Sequence, residues 1–156
     1  MYQKILVPLD GSDLAECTLY HVETLFAHGF AGDVTLLNIV KVDIPWAKMY
    51  ADRHNKQPFN IVELRAKLFT ASRKYLAKMA SQLISKGIKV KIKALEANRP
   101  ANAIMDYAKK NGMDLIVMAT HGHTGFTKMM LGNVASSVLH ESHVPVLLIR
   151  PESCLP

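Results

Sequence analysis

Between Leu115 and Asn133 the chain leaves an unbroken apolar run, Leu115-Ile116-Val117-Met118-Ala119. It continues as Thr120-His121-Gly122-His123-Thr124-Gly125 and reaches Gly132-Asn133 at the head of a helical pattern. Glycine lets backbone N–H groups approach an anion closely, and a helix start adds unpaired amides and the positive end of the dipole. The amides of Asn133, Val134, Ala135 and Ser136, with the Ser136 and Ser137 hydroxyls nearby, suit phosphate oxygens. The same Gly-Asn pair also suits an ordinary turn and helix cap, and local sequence leaves both readings open. A P-loop is excluded because no Gly-Lys-Ser/Thr follows these glycines, and no Gly-x-Gly-x-x-Gly follows the first apolar run.

Other reactive residue types carry weaker signals. Asp10 ends the run Ile5-Leu6-Val7-Pro8-Leu9 and precedes Gly11. A carboxylate there either accepts hydrogen bonds from a ligand or shapes the turn. His121 and His123 alternate, but His21, His28, His54, His140 and His143 show no ligand spacing with them, so a side-chain metal site is not expected. His123 reads as a phosphate neighbour and His121 as structural. No Gly-x-Ser-x-Gly elbow occurs, which argues against that type of hydrolase, and Lys128 reads as a solvated lysine. Cys17 and Cys154 lie far apart and form no metal spacing, so no disulfide scaffold is expected and a reducing cytoplasm is the default compartment. Cys17 reads as a buried helix residue.

These residues need a scaffold, and the chain supplies alternating strand and helix signals. Lys4 to Leu9 is a short apolar strand, and Asp13 with Glu16 forms a capping pattern for a helix that His28-Gly29 closes. A second strand spans roughly Asp33 to Val40. Residues 41–59 have no clear period, and their Trp46, Met49 and Tyr50 read as sealing a core rather than covering a ligand. Asn60 and Glu63 repeat the capping pattern ahead of a long helix stopped by Gly87. Ile88, Val90 and Ile92 alternate with Lys89, Lys91 and Lys93, a lysine-faced strand that belongs at a sheet edge. Pro100 opens a helix ending at Asn111-Gly112, Leu115–Ala119 is a fully buried strand, Asn133 caps a helix to about Glu141, and Val146–Ile149 is the last strand. Five strands alternating with four helices predict an α/β domain with a parallel sheet covered on both faces. Ligands then bind at the carboxyl ends of strands, here the turns after Leu9, Ile39 and Ala119.

Composition agrees. The 156 residues are 49% hydrophobic and 21% charged, as expected of one globular domain at residues 1–151 with a short tail at 152–156. No segment approaches the ~20 apolar residues of a membrane span, and Ile5–Leu9 is too short for a signal-peptide core. Nineteen basic residues against thirteen acidic give a net charge of +6, which favours acidic partners without choosing among them. Val146-Leu147-Leu148-Ile149 is apolar on both faces yet expected at an edge, a conflict that pairing with a second copy would resolve.

Over nearly its full length the chain resembles the universal stress proteins, of the ATP-binding type. The residues that carry the resemblance are Ile5-Leu6-Val7-Pro8-Leu9-Asp10-Gly11-Ser12, Pro100, Ala119 through Gly125, Leu131-Gly132-Asn133-Val134 and Pro145 through Arg150. The family's nucleotide motif, Gly, two residues, Gly, nine residues, Gly, then Ser or Thr, falls on Ala119, Gly122, Gly132 and Asn133. Ala119 and Asn133 depart from it, while the two remaining glycines keep its register. The resemblance implies a doubly wound, Rossmann-like sheet of order 3-2-1-4-5. It also implies a stress-response role as a cytoplasmic homodimer joined through Val146–Ile149, with no nucleic-acid or membrane partner. Its site binds ATP, or AMP or ADP in its place, with Mg or Mn carried by the phosphates. Asp10 would meet the ribose, the Ile39 backbone the adenine edge, and Pro8 and Leu9 the same wall. Met118, Ala119, Gly122, His123, Gly125, Gly132, Asn133, Val134 and Ser136 would surround the phosphates. A binding module with little or no hydrolysis is the leading expectation. The alternatives are a slow ATPase or nucleotidyl-transfer enzyme on the same site, and a nucleotide-free interaction protein.

Overall fold

Alternation along the first strand dictates a sheet covered twice. In the computed structural model, which describes residues 1–43, 60–120 and 131–150, β1 (Tyr2–Pro8) buries Ile5 and Val7 on one side and Leu6 on the other. The remaining elements follow as α1 (Asp13–Ala27), β2 (Ala31–Val40), α2 (Ile61–Ile84), β3 (Val90–Glu96), α3 (Pro100–Lys110), β4 (Leu115–Ala119), α4 (Asn133–Glu141) and β5 (Val146–Ile149). All five strands pair in parallel in the order β3-β2-β1-β4-β5. The direction of winding reverses between β1 and β4, and that is where a crevice opens at the carboxyl ends.

Two apolar clusters fix the layers. The first joins Val7, Leu9, Val34, Leu36 and Val117 to Leu19 and Val22 of α1 and Leu76, Met79 and Leu83 of α2. The second joins Leu6, Leu37, Ile116 and Met118 to Ile104 and Ala108 of α3 and Ala135 and Val138 of α4. At the amino end, Asp114 sets the β1–β4 register. Its carboxylate accepts from the Gln3 and Lys4 amides at 2.8 and 3.1 Å, and its own amide donates to the Lys4 carbonyl at 2.9 Å.

The edges match the charge pattern. β3 lies at one edge with Lys91 and Lys93 exposed, although Ile92 is also 40% exposed, so its apolar face is covered only in part. Several basic residues are held in ion pairs: Arg65 with Glu96, Lys89 with Asp33 and Lys86 with Glu23. β5 forms the other edge, with Leu147 exposed, and Leu139 of α4 is exposed as well.

Three local expectations need correction. Ser12, not Asp13, caps α1: its Oγ accepts from the Ala15 amide at 3.2 Å, one residue ahead of the acidic pair. Gly132, not Asn133, is the cap residue of α4, with Asn133 the first helical residue. Cys17 is half-buried and disulfide-bonded rather than an independent thiol. The chain's other cysteine, Cys154, lies outside the described residues. Distance along the sequence misled here, because the end of β5 returns to the face of the sheet where α1 packs: Ile149 belongs to the cluster against which Cys17 lies.

Gly32 supplies a stability test that no sequence motif marked. A Cβ there would sit 2.5 Å from the Gln3 carbonyl oxygen, a backbone atom of the adjacent strand. Gly32→Ala should therefore destabilise the domain by about 1–3 kcal/mol, read as a lower urea midpoint at unchanged slope. An unaltered midpoint would show that β1 and β2 separate there without cost.

Candidate functional site

The carboxyl end of β1 runs straight into a turn built by its own side chains. Asp10 Oδ1 accepts from the Ser12 amide at 3.0 Å and from the Ser12 hydroxyl at 2.6 Å, while that hydroxyl oxygen receives the Ala15 amide. Gly11 adopts φ +85°, a conformation that suits glycine and little else. The Asp10 carboxylate thus does shape the turn, as its position before Gly11 suggested. It remains exposed at the strand end, with Pro8 half-buried and Leu9 2% exposed beneath it.

The neighbouring strand carries the helix start. Thr120, buried at the end of β4, donates its amide to the Ile149 carbonyl at 2.9 Å and accepts the Gly132 amide at 2.8 Å. One residue therefore ties the end of β5 and the beginning of α4 to the end of β4. The Gly132 amide is used in this tie, and the Ser136 amide is used by the helix, donating to the Gly132 carbonyl at 2.8 Å. That narrows the expected set of free donors. Asn133, Val134 and Ala135 keep the first-turn amides that no helix satisfies internally, and α4 has no side-chain cap. Asn133 is exposed, Gly132, Val134 and Ser136 are half-buried, and Met118 and Ala119 are buried in β4 below them. Gly122, His123 and Gly125 lie outside the described residues. Among the described residues no three His, Cys, Asp or Glu side chains gather to hold a metal ion.

The third contribution comes from β2. In a parallel ladder the peptide groups of alternate residues face alternate neighbours. The Leu37 carbonyl accepts the Leu9 amide at 2.8 Å, so Ile39, two residues on, turns its N–H and C=O to the same side, past the last residue of β1. One donor and one acceptor side by side match the edge of an aromatic base. Between them Asn38 projects to the α2 side. Its Nδ2 donates to the Leu9 carbonyl at 2.7 Å, and its Oδ1 accepts the Ser72 hydroxyl of α2 at 2.6 Å. Sequence reasoning missed this pair. The available signal was a polar residue at each of two apolar-stripe positions: Asn38 after Val34 and Leu36, and Ser72 between Leu68 and Leu76.

Tyr75, one turn beyond Ser72, packs against the first cluster, and its buried hydroxyl makes no hydrogen bond among the described residues. Burial, and then the nearby carboxylates of Glu16 and Asp10, push its pKa well above the usual phenol value. A raised native pKa favours the protonated fold. Its contribution is complete below the unfolded value of about 10 and is lost as pH climbs beyond it. The melting temperature of the wild type should fall more steeply between about pH 9 and pH 11 than that of Tyr75→Phe. Parallel slopes in thermal melts would show that Tyr75 titrates as it does in the unfolded chain.

Comparison with known proteins agrees with this fold. The universal stress protein family model matches residues 1–150. Universal stress protein MJ0531 of Methanocaldococcus jannaschii is 34% identical over 150 residues, covering 96% of this chain and 83% of that protein. Universal stress protein MJ0577 of the same organism is 32% identical over 157 residues, covering 96% of both. The solved structure of MJ0577 superposes with a TM-score of 0.75 at 29% identity, again covering 96% of each chain. A more distant structure, the Archaeoglobus fulgidus universal stress protein in complex with dAMP, shares the fold at a TM-score of 0.61 and 20% identity, covering 95% and 98%. With a family match across residues 1–150 and two relatives above 30% identity along nearly its whole length, this chain belongs to the universal stress protein family.

Proposed function

We propose that the chain binds an adenine nucleotide, ATP or AMP or ADP in its place, in the crevice between β1 and β4, and acts in the cytoplasm as a dimeric regulatory module in the response to stress, with little or no hydrolysis. The observation that carries this reading is the tie at Thr120, which sets the three first-turn amides of α4 beside the strand end bearing Asp10. Amides and the dipole would hold phosphate, Asp10 would accept from ribose hydroxyls, and the Ile39 peptide groups would meet the adenine edge. Pro8, Leu9, Met118 and Ala119 would form the floor, and Gly122, His123 and Gly125, outside the described residues, would contribute to holding the phosphates. Mg or Mn would enter on the phosphates rather than on protein ligands. The A. fulgidus relative crystallised with dAMP supports an adenine nucleotide as the ligand class.

Mass spectrometry of small molecules released from the purified protein should recover ATP, ADP or AMP. ADP accumulating with time from added ATP would favour the slow ATPase. No recovered nucleotide, with an unchanged melting temperature in millimolar ATP, would leave a nucleotide-free interaction protein. Gly132 has φ −60° and ψ 148°, which valine tolerates, so Gly132→Val should fold. Its side chain would stand over the α4 amides and lower ATP affinity at least tenfold, about 1.4 kcal/mol, in calorimetric titration. Unchanged affinity would show the phosphates misplaced.

The dimer is proposed through β5, the edge strand that leaves Leu147 exposed. Leu147→Lys should convert a dimer to a monomer in light scattering while nucleotide binding persists. A monomeric wild type would remove the dimer from this reading.

A further inference from the structure

The Ser72–Asn38–Leu9 chain of hydrogen bonds has no place in the nucleotide reading so far, and its geometry leaves little freedom. A backbone carbonyl only accepts, so the Asn38 amide must turn its NH₂ toward Leu9. Its oxygen therefore faces α2, and the Ser72 hydroxyl must donate to it. A serine within a helix ordinarily gives its proton to the carbonyl one turn back. Ser72, 7% exposed, gives it to β2 instead.

The Leu9 carbonyl is the group to which a continuing β1–β2 ladder would draw the Ile39 N–H. Asn38 is adjacent to Ile39, and its Nδ2 occupies one of the two acceptor positions of that same oxygen, on the side from which α2 approaches. We propose that Ser72 and Asn38 are positioning residues that engage the Leu9 carbonyl so that the Ile39 peptide N–H stays available to a bound base. This inference rests on the proposed adenine-nucleotide site and deepens it by naming what selects the base. At its pairing edge adenine offers an exocyclic amino donor beside a ring acceptor, which the Ile39 C=O and N–H match. Guanine presents the opposite polarity and does not.

Stability alone does not account for the pair. Asn38 shares a face with the buried Val34, Leu36 and Val40, where an aliphatic residue would extend the apolar row. An amide kept there, satisfied by a buried hydroxyl on another element, is under a constraint other than core packing.

The test titrates ATP and GTP into the wild type, Ser72→Ala, Ser72→Thr and Asn38→Leu by calorimetry, with thermal melts alongside. The wild type should prefer ATP. Ser72→Ala should weaken ATP about five- to tenfold, the scale of one net hydrogen bond, while GTP affinity stays put. Ser72→Thr, which keeps the donor, should restore the preference. Asn38→Leu, which removes the partner of the buried Ser72 hydroxyl, should melt lower yet bind GTP with unchanged affinity while losing the ATP preference, a selective loss that a merely structural role would not produce. ATP binding unchanged in Ser72→Ala and Asn38→Leu, or ATP and GTP weakened equally, overturns the positioning role and leaves the nucleotide site standing. A wild type that binds neither nucleotide removes the site, and the positioning role with it.

Discussion

The two peptide hydrogen bonds at Thr120 are the constraint on which the rest of the site geometry depends. A parallel sheet leaves the last peptide groups of each strand without a partner beyond the ladder, and a helix leaves its first amides equally unsatisfied. Thr120 joins these two deficits by taking the Gly132 amide and giving its own to Ile149. Remove that tie and α4 no longer begins at the end of β4. Ala135 and Val138 contribute to the same placement by burying the other side of α4 against Ile116 and Met118, so packing and hydrogen bonding specify one position together.

The way charge is distributed follows from this arrangement. With a net charge of +6, an anion site lined by lysines would be the obvious guess. The start of α4, however, offers peptide amides without a side-chain cap, and four of the basic side chains are held in ion pairs with Glu23, Asp33, Glu63 and Glu96. Such exposed pairs contribute little to stability. Oriented amides are fixed by the fold and need no side-chain ordering when a ligand arrives, which makes them an economical way to hold an anion whose position must be defined.

How much of this was legible in the sequence depends on whether the signal was local. The fold was legible because parallel strands buried on both faces read as continuous apolar runs, as in Leu115–Ala119, and because Gly29, Gly87 and Gly112 end helices in the left-handed conformation that glycine favours. The edge position of β3 was legible in its lysines. Helix caps were readable only to within a residue: Ser12 and Asp13 are both good caps, and the Asp10–Ser12 hydrogen bonds, which involve the turn, settle the matter in favour of Ser12. The Cys17 disulfide was invisible because it depends on where β5 ends in space rather than in sequence.

Within the site, the backbone donors of α4 were legible from Gly132-Asn133, whereas Asn38 and Ser72 were not, since each is ordinary in isolation and acquires meaning only when α2 lies across β2. Their pairing shows a general consequence of building a site from peptide groups. Side chains can be chosen one at a time, but a backbone N–H is available or consumed according to what its neighbours accept. At the β1–β2 boundary the Leu9 carbonyl is the competing acceptor, and an asparagine beside it, held in one orientation by a buried hydroxyl, decides the competition. In the proposed site, specificity for a base edge would then come from residues that need not touch the base at all. That would give an amide and a hydroxyl a use at positions where the apolar pattern of both elements asks for aliphatic side chains.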